Sequence, residues 1–145
     1  EAAFEAEETG HLVLYTMHTT SAKKTIDRLL DFLHGDEKIA MQGVIESVLE
    51  GVVSQVLPPS VDGKSRVLVA EVMANFANVA SSIRNGKMQQ LPNEMLQNIK
   101  EGQTILNKEL VRFVAEGRIT KEVARQYAYD PFAFDIEFKA SRGGR

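Results

Sequence analysis

The chain has 145 residues, of which 43% are apolar and 26% are charged, enough for one compact domain or for part of a larger one. Its net charge of −3 argues against a nucleic-acid-binding protein, because such proteins normally present a basic face. The absence of cysteine excludes disulfides and thiolate metal sites and fits a reducing, cytoplasmic setting. No apolar run approaches the roughly 18 residues that a membrane-spanning helix needs, and no secretory signal is visible.

The first residues have the pattern of an acidic helix. Residues 2–9 predict the end of such a helix, stopped by Gly10. Because the first residue is Glu1 rather than Met and lies within this pattern, we expect the natural protein to begin upstream.

A strand and two helices are predicted next. The run from His11 to His18 is short, apolar and rich in β-branched and aromatic residues, which favours a buried strand. Thr20 or Ser21 can cap a helix that follows it. Apolar residues then recur at three- and four-residue steps over 41–56, which predicts a second helix up to Pro58.

A second strand is predicted over 66–73, after a turn at 61–64. The order β-α-α-β leaves only two strands, too few for a stable open sheet with buried faces. We therefore expect residues 1–74 to be part of a larger α/β domain, and residues 75–145 to be a separate helical region.

Five short helices are predicted in that helical region, over about 76–85, 92–101, 104–116, 121–128 and 131–139. Thr120 and Asp130 suit N-caps, Pro92 suits a first helical turn, and Gly117 suits a left-handed stop.

Gly63-Lys64-Ser65 has the ending of a phosphate-binding loop, but it is not expected to bind a nucleotide. The full pattern needs a glycine six residues before the lysine, where the chain has Pro58. A phosphate-binding loop also opens a helix, whereas this turn is predicted to lead into a strand.

Two histidines bracket the first predicted strand. On an extended chain His11 and His18 would lie about 23 Å apart, so a regular strand would keep them from sharing a metal ion. His18 is the stronger candidate, because polar residues surround it at the end of a strand, where open α/β sheets bind ligands. Both also fit the plainer interpretation of ordinary strand-end histidines, and Glu71, inside an apolar strand, fits either an ion pair or an exposed position.

The string from Glu8 to Ala22, ETGHLVLYTMHTTSA, followed by KTIDR over 24–28, is similar to the histidine box of the type II/IV secretion ATPase superfamily. It most resembles the type IV pilus retraction ATPases, which drive twitching motility. Shorter matches follow in order, among them 53–55, 62–67, 71–73, 83–87 and 117–122.

This resemblance implies an α/β fold, the C-terminal part of a RecA-like P-loop ATPase domain, followed by a small all-helical bundle. In that family the RecA-like domains form a hexameric ring and hydrolyse ATP between subunits. By position, His11 and His18 are the two histidines of the box, which implies that they sense the nucleotide phosphates, with Thr19 beside the nucleotide.

The family's phosphate-binding loop, acidic boxes and catalytic glutamate all lie before the position of Glu1. An ATP phosphate without backbone donors, lysine and Mg²⁺ has little to hold it. The resemblance therefore implies ATP and Mg²⁺ as cofactors of a longer protein, and we expect the chain alone to be inactive and to hold no nucleotide tightly.

The family's retraction motif, AIRNLIRE, corresponds to residues 78–85, NVASSIRN. In its second half only Ile83 and Arg84 are retained. These two residues are therefore the candidates on the helix that carries this motif, called the effector helix below. The resemblance implies an inner-membrane pilus platform protein as the partner and a cytoplasmic location at that membrane.

Two other interpretations remain open. The chain could be a non-catalytic helical adaptor or degenerate paralogue that acts as an interaction module. It could also come from a type II secretion or pilus-assembly ATPase, although these generally carry a four-cysteine zinc loop where this chain has Pro58-Pro59-Ser60. An apolar strand edge would also allow self-association or swapping.

Overall fold

Seven α-helices, two 3-10 helices (Met88–Gln90 and Ile99–Glu101) and one antiparallel pair of strands form the described part of the chain, residues 10–31 and 33–143 of a computed structural model. The predicted helix over 2–9 lies outside the described residues. The helices are α1 Ala22–Leu30, α2 Gly35–Val48, α3 Ala77–Arg84, α4 Leu91–Gln97, α5 Leu106–Ala115, α6 Lys121–Tyr127 and α7 Pro131–Gly143, and the strands are β1 Gly51–Val56 and β2 Val69–Ala74.

The strand predicted over 11–18 is wrong, because this segment pairs with no strand among the described residues. A strand needs a neighbour for its N–H and C=O groups. Without one in this part of the chain, Leu12 and Leu14 are 77% and 89% exposed.

The helix predicted up to Val56 is also wrong, because α2 ends at Val48 and β1 begins at Gly51. Valines spaced three and four apart fit a helix, but they also favour a strand when a partner is available. Gly51 allows β2 to approach closely, because a Cβ at this position would lie 2.7 Å from the carbonyl oxygen of Met73.

The strands pair in the register Gly51 with Ala74 through Val56 with Val69. The predicted second strand is thus confirmed, with slightly later bounds, and the predicted order β-α-α-β becomes α-α-β-β. Thr104 continues the sheet beyond β2, because its backbone exchanges hydrogen bonds of 3.1 and 3.0 Å with that of Val72.

The five helices predicted after residue 75 are confirmed, with bounds that differ by a few residues. Their predicted end signals hold as well. The Thr120 hydroxyl accepts from the N–H of Val123 at 3.2 Å, the Asp130 carboxylate accepts from the first turn of α7, and Gly117 has a φ of 70°.

Among the residues that the structure describes, two hydrophobic clusters stabilise the fold, and β2 contributes to both. The first cluster joins α1 and α2 to α3 and α4, and includes Met73; the second joins α5, α6 and α7, and includes Val69. Both clusters contain residues from each side of residue 74. The clusters thus do not separate residues 1–74 from residues 75–145, and the division of the chain at this point stays a prediction.

Candidate functional site

The segment that leads into α1 carries the histidine-box candidates. His11 and His18 are both exposed, one near each end of the segment. Thr19 is half-buried, and its hydroxyl lies 2.7 Å from that of Thr25 in α1.

The direction of the Thr19 hydrogen bond follows from its surroundings. The Thr25 hydroxyl already donates its proton to the carbonyl of Ser21 at 3.0 Å. Thr19 is therefore the donor to Thr25, since a hydroxyl has one proton. In this arrangement Thr19 has only lone pairs to offer a ligand, which suits a cation or a water rather than a phosphate oxygen.

The first turn of α1 is capped from two sides. The Ser21 hydroxyl accepts from the N–H of Lys24 at 3.2 Å, which matches one of the two predicted caps. The N–H of Ala22 donates instead to Oε1 of Glu71, at 2.7 Å. The start of the helix that follows His18 is thereby fixed to the middle of β2.

Glu71 is neither of the alternatives that the sequence left open. It is 4% exposed, and it belongs to no ion pair among the described residues. Burial raises the pKa of Glu71, and the hydrogen bonds from Ala22 and Leu106 oppose that rise. The signal for an inward position was the two-residue spacing of Val69, Glu71 and Met73, all of which face the interior.

A cavity of about 400 Å³ lies beside this helix start. Its polar lining includes Lys23, Lys24, Glu71, Tyr129 and Asp130. The two lysines have other partners, because Lys23 pairs with Asp27 at 2.6 Å and Lys24 donates to the Thr20 hydroxyl at 3.2 Å. Within the described ranges, no three histidine, aspartate or glutamate side chains come together as metal ligands.

The turn at Gly63-Lys64-Ser65 does not form a phosphate cradle. Its N–H groups are all occupied: Gly63 donates to the Ser60 carbonyl, Lys64 to the Asp62 carboxylate and Ser65 to the Ser60 hydroxyl. Hydrogen bonds from Ser60 and Lys64 lower the pKa of Asp62, so this carboxylate stays charged within the turn. The turn leads into β2 and opens no helix.

The two effector-helix candidates lie at the end of α3 in different environments. Ile83 is fully buried in the first cluster, together with Ala22 and Ile26 of α1. Arg84 is exposed and forms an ion pair with Glu46 of α2. The structure thus places Ile83 in the same core as the helix after His18, and leaves Arg84 on the surface.

The chain matches the family described as type II/IV secretion system protein over residues 1–127. Among curated proteins it is 37% identical to the type IV pilus retraction ATPase PilT of Pseudomonas aeruginosa over 132 residues, which is 91% of this chain and 38% of that protein. It is 35% identical to a twitching motility protein of Neisseria gonorrhoeae over 87% of this chain and 34% of that protein.

A solved structure gives the same result. The fold is similar to that of the pilus retraction motor PilT with bound ADP, with a TM-score of 0.82 and 33% identity, over 93% of this chain and 37% of that one. The resemblance inferred from the histidine box is confirmed, as is the fold class, the C-terminal part of such an ATPase. The chain spans slightly more than a third of these relatives, and no helix in its described residues is both long and apolar enough to cross a membrane.

Proposed function

Because this chain belongs to the type II/IV secretion system protein family, we propose that it is the C-terminal part of a hexameric, ATP-driven motor that retracts type IV pili. The observation that supports this most is the similarity of its fold to the retraction motor over 93% of the chain. In this proposal the motor works on the cytoplasmic side of the inner membrane and moves a pilus platform protein.

The proposed role of the segment before α1 is to sense the nucleotide. His18 is exposed at its end, and a neutral imidazole there can donate a hydrogen bond to a phosphate oxygen or to a water. His11 would act at the other end of the segment. The Thr19 lone pairs suit a water or the Mg²⁺ that accompanies ATP.

The phosphates themselves would be held by a loop outside this chain, since the 145 residues contain no complete phosphate-binding motif. Such a loop supplies backbone donors, a lysine and a magnesium ligand. This chain would then sense the nucleotide phosphates, and the segment that carries the loop would bind them.

The second candidate, a non-catalytic interaction module, is favoured by one observation. Leu12, Leu14 and Tyr15 are largely exposed on one short segment, as they would be on a surface that binds a partner. A module of this kind would not need His18.

We expect the His18→Ala variant of the full-length motor to lose ATP turnover by about tenfold, the effect of one hydrogen bond of ordinary strength in the transition state. Twitching should be lost with it. His34→Ala is the matched control, because His34 is exposed just before α2, and it should keep both activities. Normal turnover and motility in His18→Ala would exclude the sensor and leave the interaction module.

The isolated chain is expected to self-associate at high concentration through residues 11–18. Leu14→Lys should shift the mass measured by light scattering towards the 16.1 kDa monomer, because a lysine on an exposed segment of this kind opposes pairing between chains. Leu68→Lys replaces an exposed leucine outside this segment and should leave the mass unchanged. A strict monomer for the unaltered chain would contradict the expectation.

A further inference from the structure

The Glu71 carboxylate links the starts of two helices. Its Oε1 accepts from the N–H of Ala22 at 2.7 Å, and its Oε2 accepts from the N–H of Leu106 at 3.1 Å. Ala22 is the first residue of α1, and Leu106 is the first residue of α5. The two helices are far apart in sequence, so a single side chain joins distant parts of the chain.

Both N–H groups depend on this carboxylate. The first N–H groups of a helix have no acceptor within the helix, and a buried one without a partner is costly. Ala22 and Leu106 are both fully or almost fully buried. The Ser21 hydroxyl serves Lys24 rather than Ala22, and α5 has no side-chain cap of its own.

Glu71 lies between the two hydrophobic clusters, so its hydrogen bonds connect the helices of one cluster to those of the other. On the inward face of β2, Val69 belongs to the second cluster, Met73 to the first, and Glu71 lies between them. Helix α1 packs in the first cluster and α5 in the second. A shift of the start of α1 relative to α5 must therefore stretch one of the two hydrogen bonds.

We propose that Glu71 is a positioning residue that holds the histidine-box segment in a fixed relation to the C-terminal helices. This inference rests on the proposed sensing role of His18, which lies four residues before Ala22. When the segment moves in response to the nucleotide, the carboxylate passes that movement to α5 and the helices packed on it.

A lysine does not explain the burial of Glu71. Lys23 and Lys24 line the same cavity, but each has another partner. The carboxyl group is held instead by two N–H groups, at the positive ends of two helix dipoles. An amide in place of the carboxylate keeps the size of the side chain but can accept only one of the two bonds.

The test compares Glu71→Gln with Leu91→Ala in the full-length motor. Leu91 is fully buried in the first cluster and lies in α4, outside both the proposed sensing segment and α5, so its truncation controls for lost stability. We expect Glu71→Gln to lower kcat for ATP by about tenfold with little change in KM, because one positioning bond is lost while the phosphate contacts remain. Leu91→Ala should keep kcat per folded molecule.

A double variant separates this inference from the proposed function. If Glu71 acts through the histidine-box segment, His18→Ala with Glu71→Gln should be no slower than His18→Ala alone. Additive losses, or a normal kcat in Glu71→Gln beside a slowed His18→Ala, would overturn the inference and leave the sensor intact. Normal turnover in His18→Ala would instead overturn the sensor and this inference with it.

Amide hydrogen exchange in the unaltered motor tests the same link if Glu71→Gln does not fold. The amides of Ala22 and Leu106 should change their protection together between the ADP state and a state with a non-hydrolysable ATP analogue. A change at Ala22 without one at Leu106 would contradict the link.

Discussion

Replacing Phe134 with alanine is expected to lower the free energy of unfolding by about 3–5 kcal/mol, the usual cost of deleting a buried aromatic ring. Phe134 is fully buried in the second cluster, and its ring stacks on Phe138 with centroids 5.9 Å apart. The cluster joins α5, α6 and α7 around Val69 of β2. Loss of this ring should therefore loosen the C-terminal helices from the sheet.

Phe132 is the matched control, two residues earlier on the same helix and 74% exposed. Phe132→Ala should change the free energy of unfolding by no more than about 0.5 kcal/mol, as is usual for an exposed position. Urea denaturation of both variants measures the difference. Equal losses would mean that α7 does not pack in the way described.

Replacing Ile83 with alanine is expected to cost about 2–5 kcal/mol, because its side chain is fully buried in the first cluster. Replacing the neighbouring Arg84 should cost less than about 1 kcal/mol, since its side chain is 62% exposed and exposed ion pairs contribute little. Thermal unfolding of the two variants would show the contrast.

The Ile83→Ala and Arg84→Ala variants also distinguish a loss of stability from a loss of function on the effector helix. If Arg84 faces the proposed partner, Arg84→Ala should impair twitching in the full-length motor while the fold stays intact. Ile83→Ala would impair twitching only together with stability. A stable Arg84→Ala protein with normal motility would remove Arg84 from the effector surface.

The C-terminal helices could be predicted well because local signals set their limits. Thr120 and Asp130 cap the helices that follow them, and Gly117 takes the left-handed conformation that ends a segment. Each of these effects involves only a few neighbouring residues. The buried phenylalanines 134 and 138 then follow from helical spacing.

The first half was harder because distant partners decide its structure. Residues 52–56 form a strand since β2 lies beside them, and the spacing of their valines does not reveal that neighbour. Residues 11–18 have the composition of a strand, yet they find no ladder partner within the described chain.

Glu71 shows the same limit within the candidate site. Its sequence position marked it as unusual, but its two hydrogen-bond partners lie 49 and 35 residues away. The roles of His11, His18 and Thr19 come from family resemblance and stay predictions. Their environment adds the exposure of His18 and the engagement of Thr19 with α1.

The most direct test of nucleotide sensing is a titration with a non-hydrolysable ATP analogue, in which the NMR signal of the His18 imidazole is monitored. In the isolated chain the signal should not move, because the chain lacks the loop that would hold the phosphates. In the full-length motor it should shift on binding, while the signal of His34 stays in place. Micromolar binding by the isolated chain, or an unmoved His18 signal in the saturated motor, would contradict the account.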